Sequence, residues 1–256
     1  MKGLFLRNQI EYKVELFGEE WRQGDLIKGE FQITNHSTDS QLIPEIDINF
    51  KQCLIKDVRS DKSDKNLSLN QQVFSDSLVL KSGEGHKIPF DFRLPLETTI
   101  TDSKTSLYMF YGTPDKKESL QLSIVPQMRF EEVINTMGTF FRFTVKKKRS
   151  QKDWVEYTLK APLSKDLACL EDLKLLINLG SDKILQLHFQ AKIKKVDFAA
   201  PSAGHDLSFK MDTFDKKYQL SPEDYLFYGR DFHQDKFKEF FSKTLSEIVG
   251  KPFLSL

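Results

Sequence analysis

The 256-residue sequence predicts an all-β protein: two antiparallel β-sandwich domains joined by a short helix-bearing linker, with a C-terminal α-helix. Three observations carry that prediction. Apolar and polar residues alternate with period 2 along most of the chain, as half-buried strands require. Polar turn clusters separate these runs with no helical period between them, which indicates antiparallel pairing rather than βαβ units. Helical periodicity enters only after Pro126 and again near the end. The expected division is 1–126 for the first sandwich, 127–220 for the second and 221–256 for a helical tail.

The elements follow in order. Ile10, Tyr12, Val14 and Leu16 share a face opposed by Glu11, Lys13 and Glu15. Gly24-Asp25 is a turn dipeptide, and Ile27, Phe31 and Ile33 then alternate with Lys28, Glu30, Gln32 and Thr34, so the turn aims a strand into the core. Ile46, Ile48 and Phe50 mark a third strand, whose beat slips at Cys53-Leu54-Ile55. Ile88, Phe90, Phe92 and Leu94 form one row, with Phe90 and Phe92 expected inside. Pro89 lacks a ladder donor and places that strand at a sheet edge or makes it begin there. Further strands are expected at 73–80, 106–112 and 119–126, separated by polar loops at 34–41, 57–66 and 113–118.

After Pro126, Phe130, Val133, Ile134 and Met137 fit one helical face, which Gly138 should end. Strands resume at 139–145, 154–159, 173–179 and 184–196, the last two joined by Gly180-Ser181-Asp182 as a hairpin. A short strand at 207–211 follows the loop 199–206. In the tail, Ser221, Pro222, Glu223 and Asp224 form a helix-start signal. Phe237, Phe241, Leu245 and Ile248 then make an apolar stripe that Gly250 and Pro252 stop. That stripe is the candidate tail-helix docking face, suited to a partner or a second copy. The opposite face mixes Asp235, Glu239 and Glu247 with Lys236, Lys238 and Lys243, which argues against anionic lipid there.

Composition excludes several classes. The net charge of +1 provides no global field for nucleic acid, and none is expected as a partner. Cys53 and Cys169 sit in separate apolar runs and read as buried free thiols. The apolar run Leu4-Phe5-Leu6 is too short for a signal segment, and no stretch approaches the length of a membrane span. The expectation is a soluble cytoplasmic protein, with peripheral contact at the inner membrane surface as the further reading.

No reactive cluster stands out. His36, His86, His188, His205 and His233 are scattered, and no metal-binding, nucleophile-elbow or phosphate-loop motif occurs. His188 reads as a solvated imidazole on the polar face of its strand. Asp57, Asp61 and Asp64 break the alternate-ligand spacing of a calcium loop, and Lys62 and Lys65 intrude. No catalytic, cofactor-binding or metal-ligating residue is assigned, and the chain is read as non-enzymatic. The sharpest charge feature is Lys146, Lys147, Lys148, Arg149 and Lys152 with Trp154, expected at a hairpin tip. It is a candidate patch for phosphate groups on a lipid, nucleic acid or phosphorylated partner, and more simply a solvated turn that deters edge pairing.

Two stretches carry a family resemblance. Residues 21–33 (WRQGDLIKGEFQI) resemble the arrestin N-domain pattern, although family members often have Pro where Gln23 stands. Residues 83–95 (GEGHKIPFDFRLP) are similar to the arrestin element in which Gly and His lead into an aromatic strand ending in Leu-Pro. Farther on, Glu156-Tyr157-Thr158-Leu159 and Leu170-Glu171-Asp172-Leu173 resemble the bacterial sporulation-control branch of arrestin-like proteins. The match spans roughly residues 10 to 196 and rests on structural motifs. The resemblance implies two arrestin-type sandwiches and a non-catalytic regulatory adaptor that binds other proteins through sandwich faces, strand edges or the tail helix. Buried charges lock the two domains in some arrestins; Arg93, Arg129 and Arg142 qualify only by location, and that role is not assigned. The alternative reading is a ligand-binding sandwich, for a glycan for instance, that uses Trp21, Trp154 or Tyr228 as exposed aromatics.

Overall fold

The computed structural model describes residues 1–60, 67–74, 78–114, 116–196 and 209–250. Asp61, Lys62, Asp64, Lys65, His205, the loop 199–206 and Pro252 lie outside them. The chain divides into two compact units, Met1–Pro126 and Gln127–Leu256.

The first unit runs β1 (Lys2–Arg7), β2 (Ile10–Leu16), β3 (Glu20–Arg22), β4 (Leu26–Asn35), β5 (Gln41–Ile43), β6 (Ile46–Leu54), α1 (Ile55–Arg59), β7 (Leu67–Phe74), β8 (Leu78–Leu80), β9 (Gly85–Arg93), β10 (Thr105–Thr113) and β11 (Lys116–Val125). Two sheets, in the orders β1-β2-β4-β9 and β3-β11-β10-β6-β7, enclose one core, and β5 pairs with β8 apart from them. The alternation read from the sequence sets the facing: Ile27, Phe31 and Ile33 are fully buried, as are Ile48 and Phe50 from the opposite sheet. Burying such side chains contributes about 1.5–3 kcal/mol each. Phe92 stacks on Phe50 with ring centroids 4.5 Å apart.

Strand β9 is the edge of its sheet, so the missing donor of Pro89 interrupts no ladder there. The Gly24-Asp25 turn is closed by the Arg22 N–H, which donates to Asp25 Oδ2 at 2.7 Å. Gly24 takes φ of 89°, and a Cβ there would lie 2.8 Å from Leu96, so only glycine suits the turn. Gln23 is buried and donates through Nε2 to the Thr98 carbonyl at 2.6 Å, a bond proline could not make. The slip expected at Cys53-Leu54-Ile55 ends β6 at Leu54 and opens α1, which runs into the start of the expected loop.

The second unit runs α2 (Met128–Phe141), β12 (Thr144–Gln151), β13 (Trp154–Lys160), β14 (Leu170–Leu179), β15 (Leu185–Val196), β16 (Phe209–Leu220), α3 (Pro222–Tyr225), β17 (Leu226–Phe227), β18 (Asp231–Phe232) and α4 (Gln234–Val249). Its five long strands form one antiparallel sheet in sequence order. One face is covered by α4 and, behind it, α2: Phe241 packs on Phe189 of β15 and on Phe141 of α2, at 6.0 and 6.3 Å between ring centroids.

Three expectations change here. The strand expected at 139–145 is the last turn of α2 followed by the start of β12. Gly138 does not stop the helix, because Phe141 is buried against Phe241; Arg142, in the left-handed region at φ of 58°, ends it. The short strand at 207–211 is the 12-residue β16, which reaches Leu220. Its residues are mostly exposed, so little apolar patterning marked it. The tail signal at Ser221 starts only α3, with a capping box to Asp224, and the β17–β18 hairpin separates it from α4.

Candidate interaction surface

The sheet of the second unit has two unlike faces. Side chains directly opposite across antiparallel strands point the same way. Register therefore places Tyr157, Leu175 and Phe189 in one row on the helix-covered face. The alternate positions form the other face, against which no described element of this unit packs. One row there runs Arg149, Glu156, Leu176, His188 and Lys217 across β12 to β16. The next runs Lys147, Thr158, Lys174, Gln190 and Asp215.

Fixed polar contacts tie these rows together. Arg149 Nη2 donates to Glu156 Oε2 at 2.8 Å, and the Glu156 side chain is only 4% exposed. His188 Nε2 lies 2.7 Å from Asp215 Oδ1, and Gln190 Nε2 donates to Asp215 Oδ2 at 2.9 Å. These bonds, His188 foremost and then Gln190, hold the Asp215 carboxyl below its ordinary pKa. Trp154 stands edge-on to His188 at 6.4 Å. A groove of ≈ 620 Å³ crosses the face, lined by Lys174, Lys192, Thr158 and Gln190 and also by the carboxylates of Glu171, Asp172 and Asp215.

The residues singled out from the sequence fall differently from expectation. The β12–β13 hairpin exists, with Lys152 at its turn in the left-handed region at φ of 54°. Its cations do not converge, because alternation sends Lys148 to the opposite face from Lys147 and Arg149. Lys146 sits at a bulge and reaches Asp172 at 2.9 Å, a hydrogen bond that raises the lysine pKa. His188 is no solvated imidazole: its side chain is 12% exposed. The tail stripe is likewise corrected. Phe237, Phe241, Leu245 and Ile248 are all buried, packed within their own unit through Phe189 and Phe141, so they are not displayed to a partner or a second copy.

Among the aromatics weighed for a ligand, Trp21 is 6% exposed in the first core, so it presents no face. Tyr228 is 98% exposed at the tip of the β17–β18 hairpin. Arg93 bonds the Gly24 carbonyl and Arg129 pairs with Glu132, each within its own unit. Both cysteines are free, but only Cys53 is buried as expected, while Cys169 is partly exposed; burial pushes the Cys53 thiol up to about 11. No group of three or more His, Cys, Asp or Glu residues suited to a metal occurs among the described residues. Among them, too, no helix is long and apolar enough to cross a membrane.

Sequence reasoning missed Lys174, Lys192, Lys217 and the contacts of Glu156 and Asp215. Alternation already put Gln190 and Lys192 on a polar face; strand register was the absent piece.

The fold is that of an arrestin-like all-β protein with a C-terminal helix. Residues 12–158, more than half of the sequence, match the family described as SpoOM protein (Spo0M), and the chain belongs to that family. In structure it is similar to Spo0M, the sporulation control protein from Bacillus subtilis, with a TM-score of 0.60 at 16% identity, covering 94% of this chain and 99% of that one. A β-glucosidase from Listeria innocua in complex with isofagomine aligns with a TM-score of 0.31 at 16% identity, over 46% of this chain and 16% of that one, too slight a likeness to carry an argument. No curated protein matches the chain.

Proposed function

We propose that the chain is a non-catalytic regulatory adaptor, acting as its family name suggests in the control of sporulation, and that it works by binding another protein. The observation that carries this reading is the asymmetry of the second sheet. One face is packed by α4 and α2. The other face presents charged and amide groups held in place by mutual bonds. A face ordered in this way binds without first fixing its own side chains, which lowers the entropic cost of association. The groups on it are paired for position, and none is arranged as a nucleophile beside a base.

The test is cross-linking in the native host followed by capture of the full chain and mass spectrometry. One or a few proteins should be enriched over a matched, unrelated β-sheet protein. Equal recovery from both baits would end the adaptor reading.

A further inference from the structure

Four carboxylates on the face of the second sheet opposite α4 are already engaged: Glu156 by Arg149, Asp172 by Lys146, Glu171 by Lys194 at 3.9 Å, and Asp215 by His188 and Gln190. Four of its lysines are not. Lys147, Lys174 and Lys192 have no ion-pair partner among the described residues, Lys217 acts on Asp215 only from beyond ion-pair distance, and all four are exposed. A protein of net charge +1 thus carries a local excess of positive charge on one face of one sheet.

Geometry narrows what fits. Neighbouring strands lie about 4.8 Å apart, so Lys147 on β12 and Lys174 on β14, two strands away in one row, are roughly 10 Å apart. Lys192 lies on β15, one strand over from Lys174 and two residues along, roughly 8 Å away. Thr158 and Gln190 lie in the same row as Lys174 and supply hydrogen-bonding groups beside it. An extended peptide advances about 3.3 Å per residue, so acidic side chains two or three residues apart match these intervals. A peptide can set neutral residues opposite Asp172 and Asp215, whereas a phosphate backbone, charged at every unit, would run against both. A lipid surface would need apolar side chains to insert, and both rows lack an exposed one, since Leu176 is 6% exposed.

We infer that this face, along the row from Lys147 through Lys174 to Gln190 and beside Lys192, is the docking surface for an extended acidic segment of a partner protein. The inference rests on the adaptor reading and adds to it the surface and the chemistry of the partner.

The test uses the full chain and a fluorescent eight-residue peptide of alternating Glu and Ser, with anisotropy read at about 50 mM salt, close to the regime where surface charges act. Carbodiimide coupling and peptide mapping should place the attached peptide on Lys147, Lys174 and Lys192 ahead of other lysines. The K174E/K192E variant should bind the peptide about tenfold more weakly or worse, as loss of two surface ion pairs and their replacement by repulsion imply. A control with the same change of charge elsewhere, K165E/K243E, should stay within about twofold. Absence of peptide binding, an equal loss in both variants, or coupling spread evenly over surface lysines overturns the inference. So does the selective loss, in K174E/K192E, of binding to phosphatidylglycerol vesicles but not to the peptide. Host capture separates the two readings. A partner retained by K174E/K192E refutes the surface and leaves the adaptor standing, whereas a wild-type bait that captures nothing specific refutes the adaptor.

Discussion

Phe92, on the edge strand β9, stacks against Phe50 of the facing sheet, centroids 4.5 Å apart and planes 25° from parallel. The contact joins the two layers of the first unit where one of them ends. Phe92→Ala should therefore cost about 3–5 kcal/mol, the transfer term plus an unfilled cavity. Asp91→Ala, on the exposed side of the same strand, should cost well under 1 kcal/mol. Urea denaturation of both variants checks the pair; equal midpoints would contradict the facing of β9.

The Arg149–Glu156 pair makes a second prediction. Arg149→Ala leaves a carboxylate of 4% exposure without its cation, at a cost of about 1–3 kcal/mol, since the arginine itself is partly solvated. Glu156→Gln in that background should recover part of the loss, and a double-mutant cycle reads the coupling. Lys148→Ala, from the same basic run, should change stability by less than about 0.5 kcal/mol.

Helix α4 is expected to behave as core. Phe241→Ala, which opens a gap between Phe189, Phe141 and Phe237, should cost about 3–5 kcal/mol, whereas Glu239→Ala on the outer side should be near neutral. Thermal unfolding distinguishes them. A tail stripe reserved for a partner would give the free protein little sensitivity to Phe241.

Cys53 gives a dependence on pH. Its folded pKa of about 11 lies above the ordinary thiol value of 9.0, so the folded state holds the thiol proton more tightly than the unfolded chain does. The stability it contributes is complete below about pH 9 and falls as pH rises towards 11, by about 2–3 kcal/mol in all. Cys53→Ala should flatten that part of the alkaline stability curve. In native protein at pH 8 a thiol reagent should modify the partly exposed Cys169 well before the buried Cys53.

Legibility in the sequence tracked burial. Strand β4 was readable because Ile27, Phe31 and Ile33 all enter the core, and Pro89 correctly marked the edge position of β9. Only the start of strand β16 was readable, because an outermost strand with Lys210, Asp212, Lys216 and Lys217 along it lacks the apolar beat that betrays a half-buried one. The end of α2 was misread because Phe140-Phe141 looks like strand material, and a contact with Phe241, a hundred residues on, decided otherwise. The uncovered face needed strand register: which lysine lies beside which carboxylate depends on pairings among β12 to β16 that no single strand encodes.

The short parallel pairing of β3 with β11 sets Trp21 beside Ile124 and Arg22 beside Val125. During synthesis, then, the first hundred or so residues emerge with a large tryptophan and its hydrophobic neighbours still unsealed. Chain growth must pass the final strand before the first half can close, which makes this stretch the natural window for chaperone capture and the place where a stalled ribosome would leave an adhesive intermediate.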